Sequence, residues 1–287
     1  MPVISFSLND RHCVTSADVN ALNLTHTSEA STKIVAIHGL GSASTAWKML
    51  KSRFGPEVDF ITVEMPGHGK SNLKASPRMS PQKLSEIIRD ELVSHGIEYF
   101  HLTGNSLGGW VALELAAAYP ENVASVTSIA PAGLWLKPIR RKSYQLDTIR
   151  LLAKATHRYC EPLLRLKPLR ILGFKKVSPQ WRDIPLETCV DATIAMGSST
   201  GYRAFWNGMV GNRFDKPIAE EIPVTVIFGD TDNTLPKSKM QEKSLLPAHS
   251  NWVELKDSGH APMWDQVDSV ADIIRSLISS GDRAARR

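Results

Sequence analysis

Ser106 has a glycine two residues away on either side, in the run Gly104-Asn105-Ser106-Leu107-Gly108. An apolar stretch, YFHLTGN, leads into it, and LGGWVALELAAAYP leads out of it, stopped by Pro120. The first reads as a buried strand and the second as a helix, so Ser106 sits on the turn between them. Glycines cost backbone entropy inside regular elements, and their clustering marks a turn where the chain passes close to itself. The spacing is that of a nucleophile elbow, a strained turn that lifts a serine hydroxyl clear of a sheet. The plainer alternative is a strand-to-helix turn whose serine merely caps the helix.

A serine hydroxyl is a weak nucleophile at neutral pH and needs a base, and the base needs a group that fixes its tautomer. In an open parallel sheet, the loops after the strand C-termini converge on one edge. Two later strand ends carry suitable residues. VTVIFGDTD ends in Asp230 and Asp232, either of which also suits an ordinary turn, and WVELKDSGH ends in His260. An acyl-transfer oxyanion also needs preorganised N–H donors. One falls to Leu107, in the first turn of the helix after Ser106. The other falls to Leu40, in the glycine loop of IVAIHGLG, which His38 is placed to brace. Gly39, Asn105 and Trp264 are candidates for lining the cleft.

These residues need a scaffold of alternating elements. Strands are expected at VISFSLN, HCVTSADVNALNLTHT, TKIVAIHG, VDFITVEM, 99–104, VASVTSIA, IPVTVIFG and NWVELKD, with helices between the later ones. That makes eight strands in a mostly parallel sheet with helices on both faces. From about 134 to 215 the pattern turns helical, basic and proline-punctuated. The organisation expected is a core of residues 1–133 and 216–287, interrupted by a helical cap at 134–215. A helix is expected over 237–246 and a last amphipathic helix after Asp265.

The motifs HGLG (38–41), MPGHGKS (65–71), GNSLGG (104–109), FGDTD (228–232) and SGHAP (258–262) resemble the α/β-hydrolase superfamily along nearly the whole chain. The resemblance implies a triad in the order Ser, acid, His, and its G-x-x-D spacing selects Asp232 over Asp230. It also implies that the 134–215 segment roofs the site. Glu64 stands where many members have Asp. A serine at position 106 speaks against haloalkane dehalogenases and epoxide hydrolases, which use Asp there.

The remaining features narrow the function by exclusion. At 42% hydrophobic and 22% charged residues the composition is that of a globular protein. No apolar run reaches the roughly 20 residues of a spanning helix, and no secretory signal is visible, so a cytoplasmic protein is expected. Cys13, Cys160 and Cys189 are too few and too scattered for a zinc site or a disulfide framework. GHGKS at 67–71 imitates a P-loop but has Glu64 where a glycine is required. GLGSAS lacks dinucleotide spacing, so no cofactor and no metal are expected. The net charge of +5 is uneven: thirteen Lys or Arg lie between Lys137 and Arg182 against Asp147 and Glu161. No nucleic-acid motif accompanies that charge. It fits solvated helix faces, a cleft for an anionic substrate, or, in PLLRLKPLRILGF, an interfacial helix. The expected activity is hydrolysis of a carboxylic ester or thioester with a small or medium acyl group, an anionic acyl group being one of the readings of the charge. The alternatives are C–C bond hydrolysis of dienoic keto acids, with a cap arginine on the substrate carboxylate, and a ligand receptor that retains the triad. The partner is a small molecule, and the oligomeric state stays open.

Overall fold

The computed structural model describes residues 21–140 and 144–284. Six strands, β1 (Thr32–Ile37), β2 (Val58–Val63), β3 (Phe100–Asn105), β4 (Val123–Ile129), β5 (Val224–Gly229) and β6 (Asn251–Leu255), form one sheet in the order β2-β1-β3-β4-β5-β6. Every neighbouring pair is parallel. Strands β2 to β5 are buried at every position, which is why their sequences are nearly continuous apolar runs.

The helices are α1 (Lys48–Lys51), α2 (Pro81–Ser94), α3 (Leu107–Ala118), α4 (Tyr144–Thr156), α5 (Cys160–Leu164), α6 (Lys167–Phe174), α7 (Leu186–Ser198), α8 (Tyr202–Met209), α9 (Lys237–Met240), α10 (Pro262–Asp265) and α11 (Val267–Ala284). Alternation along β1 sends Val35 and Ile37 to the face covered by α2 and α3. It sends Ile34 and Ala36 to the face that receives Val270, Ala271 and Ile274 of α11. Helix α3 is buried from Leu107 to Ala116, consistent with its apolar sequence on all sides. Helix α2 starts sharply because Ser80 accepts a hydrogen bond from the Lys83 N–H (3.2 Å) and Pro81 occupies the first turn.

The expected eight strands are six among the described residues. Segment 3–9 lies outside them, as does most of 12–27. Of the latter, Thr25 forms an isolated antiparallel bridge with Thr62. The ladder stops there because the Asp59 carboxylate takes the next N–H groups, Thr27 at 3.0 Å and Ser28 at 3.4 Å. The helix expected over 237–246 is also broken, into α9 and a 3₁₀ turn at Lys243–Leu245. Gln241 leaves helical geometry between them, and its side-chain amide donates to the Leu235 carbonyl at 2.8 Å.

The chain moves outward from β1 to β2 and then returns to place β3 on the other side of β1. The loops after β1 and β3 therefore part at the reversal point of the sheet, where open α/β folds leave a crevice. Helices α4 to α8 belong to the insertion between β4 and β5, which stands over that edge.

Candidate active site

Ser106 joins β3 to α3 with φ 56° and ψ −114°, a left-handed conformation that is uncommon for a residue with a side chain. Three backbone bonds hold it there. Its N–H donates to Ile129 (2.9 Å), and its carbonyl accepts from Trp110 (3.1 Å) and Ala132 (2.9 Å). The flanking glycines permit the close passage. A Cβ at Gly104 would come within 2.2 Å of the Gly108 carbonyl oxygen, and one at Gly108 within 2.0 Å of the Ile37 oxygen. The Ser106 side chain makes no capping bond to α3. Its hydroxyl is not committed to ending the helix, which was the plainer use for it.

The loop after β1 is held by two buried histidines. The ring of His38 receives the Met65 N–H on Nε2 (3.1 Å) and places Nδ1 2.8 Å from the Gly39 carbonyl. His68 receives the Gly41 N–H on Nε2 (3.1 Å) and donates from Nδ1 to Pro66 (3.1 Å). Both rings act as acceptors and so are neutral. Burial lowers the pKa of His38 to about 4, partly offset by its bond to Gly39. Burial, then the neighbouring His38, lowers that of His68 to about 3. Glu64 ties down the same loop by accepting from the Ser44 hydroxyl (2.6 Å) and N–H (3.3 Å). The backbone N–H groups of Leu40 and Leu107 have no hydrogen-bond partner among the described residues. Both residues, with Gly39, Asn105 and Ser106, line one cavity.

His260 lines that cavity too, and its Nδ1 lies 2.8 Å from Oδ2 of Asp232. The other Asp232 oxygen accepts the N–H groups of Thr234 and Leu235, both at 2.8 Å. Burial pushes the Asp232 carboxyl up, but the charge and hydrogen bond of His260 and the two N–H donors outweigh it. Its pKa lies below the ordinary carboxylate value. Asp230 is exposed and instead receives the Ser258 N–H at 3.3 Å. Asn105 lines the cavity but also works as a clamp: its amide donates to the carbonyls of Ile129 (3.2 Å) and His260 (3.1 Å). Trp264 lines the cavity with its indole N–H anchored on Ala46 (2.9 Å).

Sequence reasoning missed how the histidine loop is held. The His260 N–H donates to Val177, in the insertion, at 2.7 Å. Asp265 is buried behind it, receives the Gly259 N–H at 2.7 Å and bonds the Ser178 hydroxyl. The insertion therefore helps set the position of the imidazole. A carbonyl acceptor leaves no trace in residue type, so the Val177 contact had no signal. His68 had one, its place in a second His-Gly pair.

The cavity measures about 370 Å³ and its walls are overwhelmingly apolar. The insertion supplies Trp135, Ile149, Leu163, Leu164, Phe174 and Met196, and Leu235 of the core joins them on the wall. Among the described residues, Lys176 is the single lysine or arginine on its wall. Of the uses left open for the basic segment, solvated outer faces fit this wall better than a charged cleft. Arg170 is spent on the carbonyls of Trp181 and Ile184, and Arg150 on that of Ser199 and the ring of Tyr202. Most of the others are exposed on the outer surface, where their charges stay hydrated.

The alpha/beta hydrolase family matches residues 34–273, which span every element from β1 into α11. The chain belongs to this family. The family description is consistent with hydrolysis as the reaction class. Among curated relatives, a dihydrolipoyllysine-residue acetyltransferase component of an acetoin cleaving system from Pseudomonas putida is 38% identical over 106 residues. That match covers 37% of this chain and 28% of the relative, a little over a quarter of its length. A monoacylglycerol lipase of Mus musculus is 24% identical over 266 residues, covering 86% of this chain and 75% of the lipase. Among solved structures, a thermophilic esterase from Thermogutta terrifontis superposes with a TM-score of 0.68 at 18% identity, over 90% of this chain and 93% of the esterase. The superposition shows the alpha/beta hydrolase fold. No helix among the described residues is long and apolar enough to cross a membrane.

Proposed function

We propose that this alpha/beta hydrolase cleaves carboxylic esters of extended apolar acyl groups through an acyl-enzyme on Ser106. The observation that carries the reading is the meeting of four features on one apolar cavity. They are the strained serine, the His260–Asp232 pair and the two unpartnered N–H groups of Leu40 and Leu107. Ser106 Oγ attacks the acyl carbon while His260 Nε2 takes its proton, and Asp232 holds the imidazole by Nδ1–H and stabilises its cation. The N–H groups of Leu40 and Leu107 receive the oxyanion. Collapse expels the alcohol with the proton from His260, and water repeats the sequence to release the acid. The helical segment 134–215 acts as a cap that covers the acyl chain.

The cap's inner wall favours a longer and more apolar acyl group than the small or medium one expected from the sequence. Each methylene buried in it contributes about 0.8 kcal/mol, roughly fourfold in kcat/KM, until the cavity is filled. The name of the murine relative, a monoacylglycerol lipase, accords with such a substrate. The cavity wall does not favour the C–C hydrolase reading, which needs an arginine there. The test is a series of p-nitrophenyl esters from acetate to laurate, with one ω-carboxylate member, run on protein whose labelling by a fluorophosphonate is mapped. Rising kcat/KM with chain length, rejection of the carboxylate and labelling at Ser106 support the reading. Labelling elsewhere, or a preference for acetate, overturns it.

A further inference from the structure

The outer face of the insertion carries large apolar side chains that nothing in the structure covers. Leu151 is 57% exposed, Tyr159 73%, Leu166 56% and Leu172 59%. They fall on one stretch of chain, from α4 through α6. That stretch borders the cavity, because Leu152 and Leu172 are exposed and also line the cavity wall. Interspersed with them are exposed cations, among them Lys154, Arg158, Lys167 and Lys175. From Arg150 to Arg182 there are nine Lys or Arg and one acidic residue, Glu161, which already pairs with Arg165 at 2.9 Å.

Exposed leucines lose contact with water only by entering something apolar, and cations gain by meeting anions. A surface that offers both, bordering an apolar pocket, fits one partner best. We infer that this face docks on an anionic lipid bilayer, with its leucines at the headgroup boundary and its cations on the lipid phosphates, so that the cavity opens toward the membrane. The inference rests on the ester-hydrolase reading and narrows its substrate class to lipid esters drawn from the bilayer. A second copy of the chain is a poorer occupant. A two-fold contact would press this positive face against itself, and like charges repel. Nucleic acid would satisfy the cations and leave the leucines in water.

The test uses the full chain as Ser106→Ala, which separates binding from turnover, floated with vesicles of equal parts phosphatidylcholine and phosphatidylglycerol. Co-flotation is expected with these vesicles and not with pure phosphatidylcholine, and it should weaken as salt is raised. Arg158→Glu with Lys167→Glu should reduce binding by more than about tenfold. Leu151→Asp with Leu166→Asp should do the same, and neither pair, made in the active protein, should change turnover of a water-soluble ester. Absence of flotation, or flotation untouched by both double variants, overturns the inference. So does a lipid-free dimer, seen by sedimentation velocity, that Leu151→Asp with Leu166→Asp dissolves, since the face would then belong to a second copy. If the Ser106→Ala protein does not bind the vesicles while the active protein turns over a soluble ester, the membrane face alone is rejected. Intact binding without any ester turnover rejects the ester reading, and the narrowing to lipid esters with it.

Discussion

At the sheet edge, position is set by short-range hydrogen bonds between buried groups. Ser106 is held by three backbone bonds, Asp232 spends one oxygen on two N–H groups and the other on His260, and His38 and His68 each hold a loop amide. The insertion across the cavity is built differently. It offers aliphatic walls to the pocket and charges and leucines to the outside, and its polar ties to the core are spread along its length. Among these are Val177 and Ser178 behind His260, and Lys48, which pairs with Asp191 (2.7 Å) and Glu187 on α7. Hydrogen bonds fix atoms to within a few tenths of an ångström, as chemistry at one carbonyl requires. Apolar contact is non-directional, so it selects by size and hydrophobicity instead. The edge is thus suited to reaction and the insertion to choice of substrate.

That division can be broken by substitution. Ser106→Ala is expected to abolish ester turnover and fluorophosphonate labelling while leaving the thermal unfolding midpoint within a few degrees, since its three backbone bonds remain. Asp232→Asn should lower kcat by about 10⁴, the cost of the wrong imidazole tautomer in a serine protease triad. Asp230→Asn should lower it less than about threefold, because surface substitutions away from buried networks stay within about 0.5 kcal/mol. If the two ranked the other way, the assignment of Asp232 would fail.

Substitutions on the insertion should act on choice and not on chemistry. Ala192→Phe places a large ring in a cavity of about 370 Å³. It should reduce kcat/KM for laurate esters by roughly tenfold or more, the loss of two or more methylene contacts, and leave acetate esters nearly unchanged. An equal loss on both esters would mean that the insertion governs the chemical step through its contacts to the histidine loop.

The smallest effect is on stability. His38 and His68 are neutral in the fold, with pKa lowered to about 4 and about 3, and return to their ordinary value of 6.5 when unfolded. Between those limits the unfolded chain binds more protons, so stability rises with pH. On acidification it is lost progressively from about pH 6.5, and for His38 the loss is complete near pH 4. NMR titration should find two imidazoles still neutral at about pH 5. Two rings titrating near their ordinary value instead would remove them as braces of the glycine loop.

The sequence by itself determined the elements that carry the site. Gly104 and Gly108 around Ser106, the buried runs before each loop, and the placement of Asp232 and His260 after β5 and β6 were all legible. They depend on local spacing and on the apolar patterns of buried strands, both of which are written in residue order. It could not decide how the basic segment is used. Thirteen cations near one another in sequence fitted a charged cleft or a solvated face equally well in kind, and in the fold most of the described ones are exposed while Leu163, Leu164 and Met196 line the pocket. Which side of a short helix meets the core depends on what it packs against, and that partner is dozens of residues away. The same holds for Val177 and Asn105, whose contacts with the His260 backbone join the insertion and the elbow to the histidine loop. Backbone carbonyls are identical at every position, so only the tertiary structure decides which one receives a given N–H.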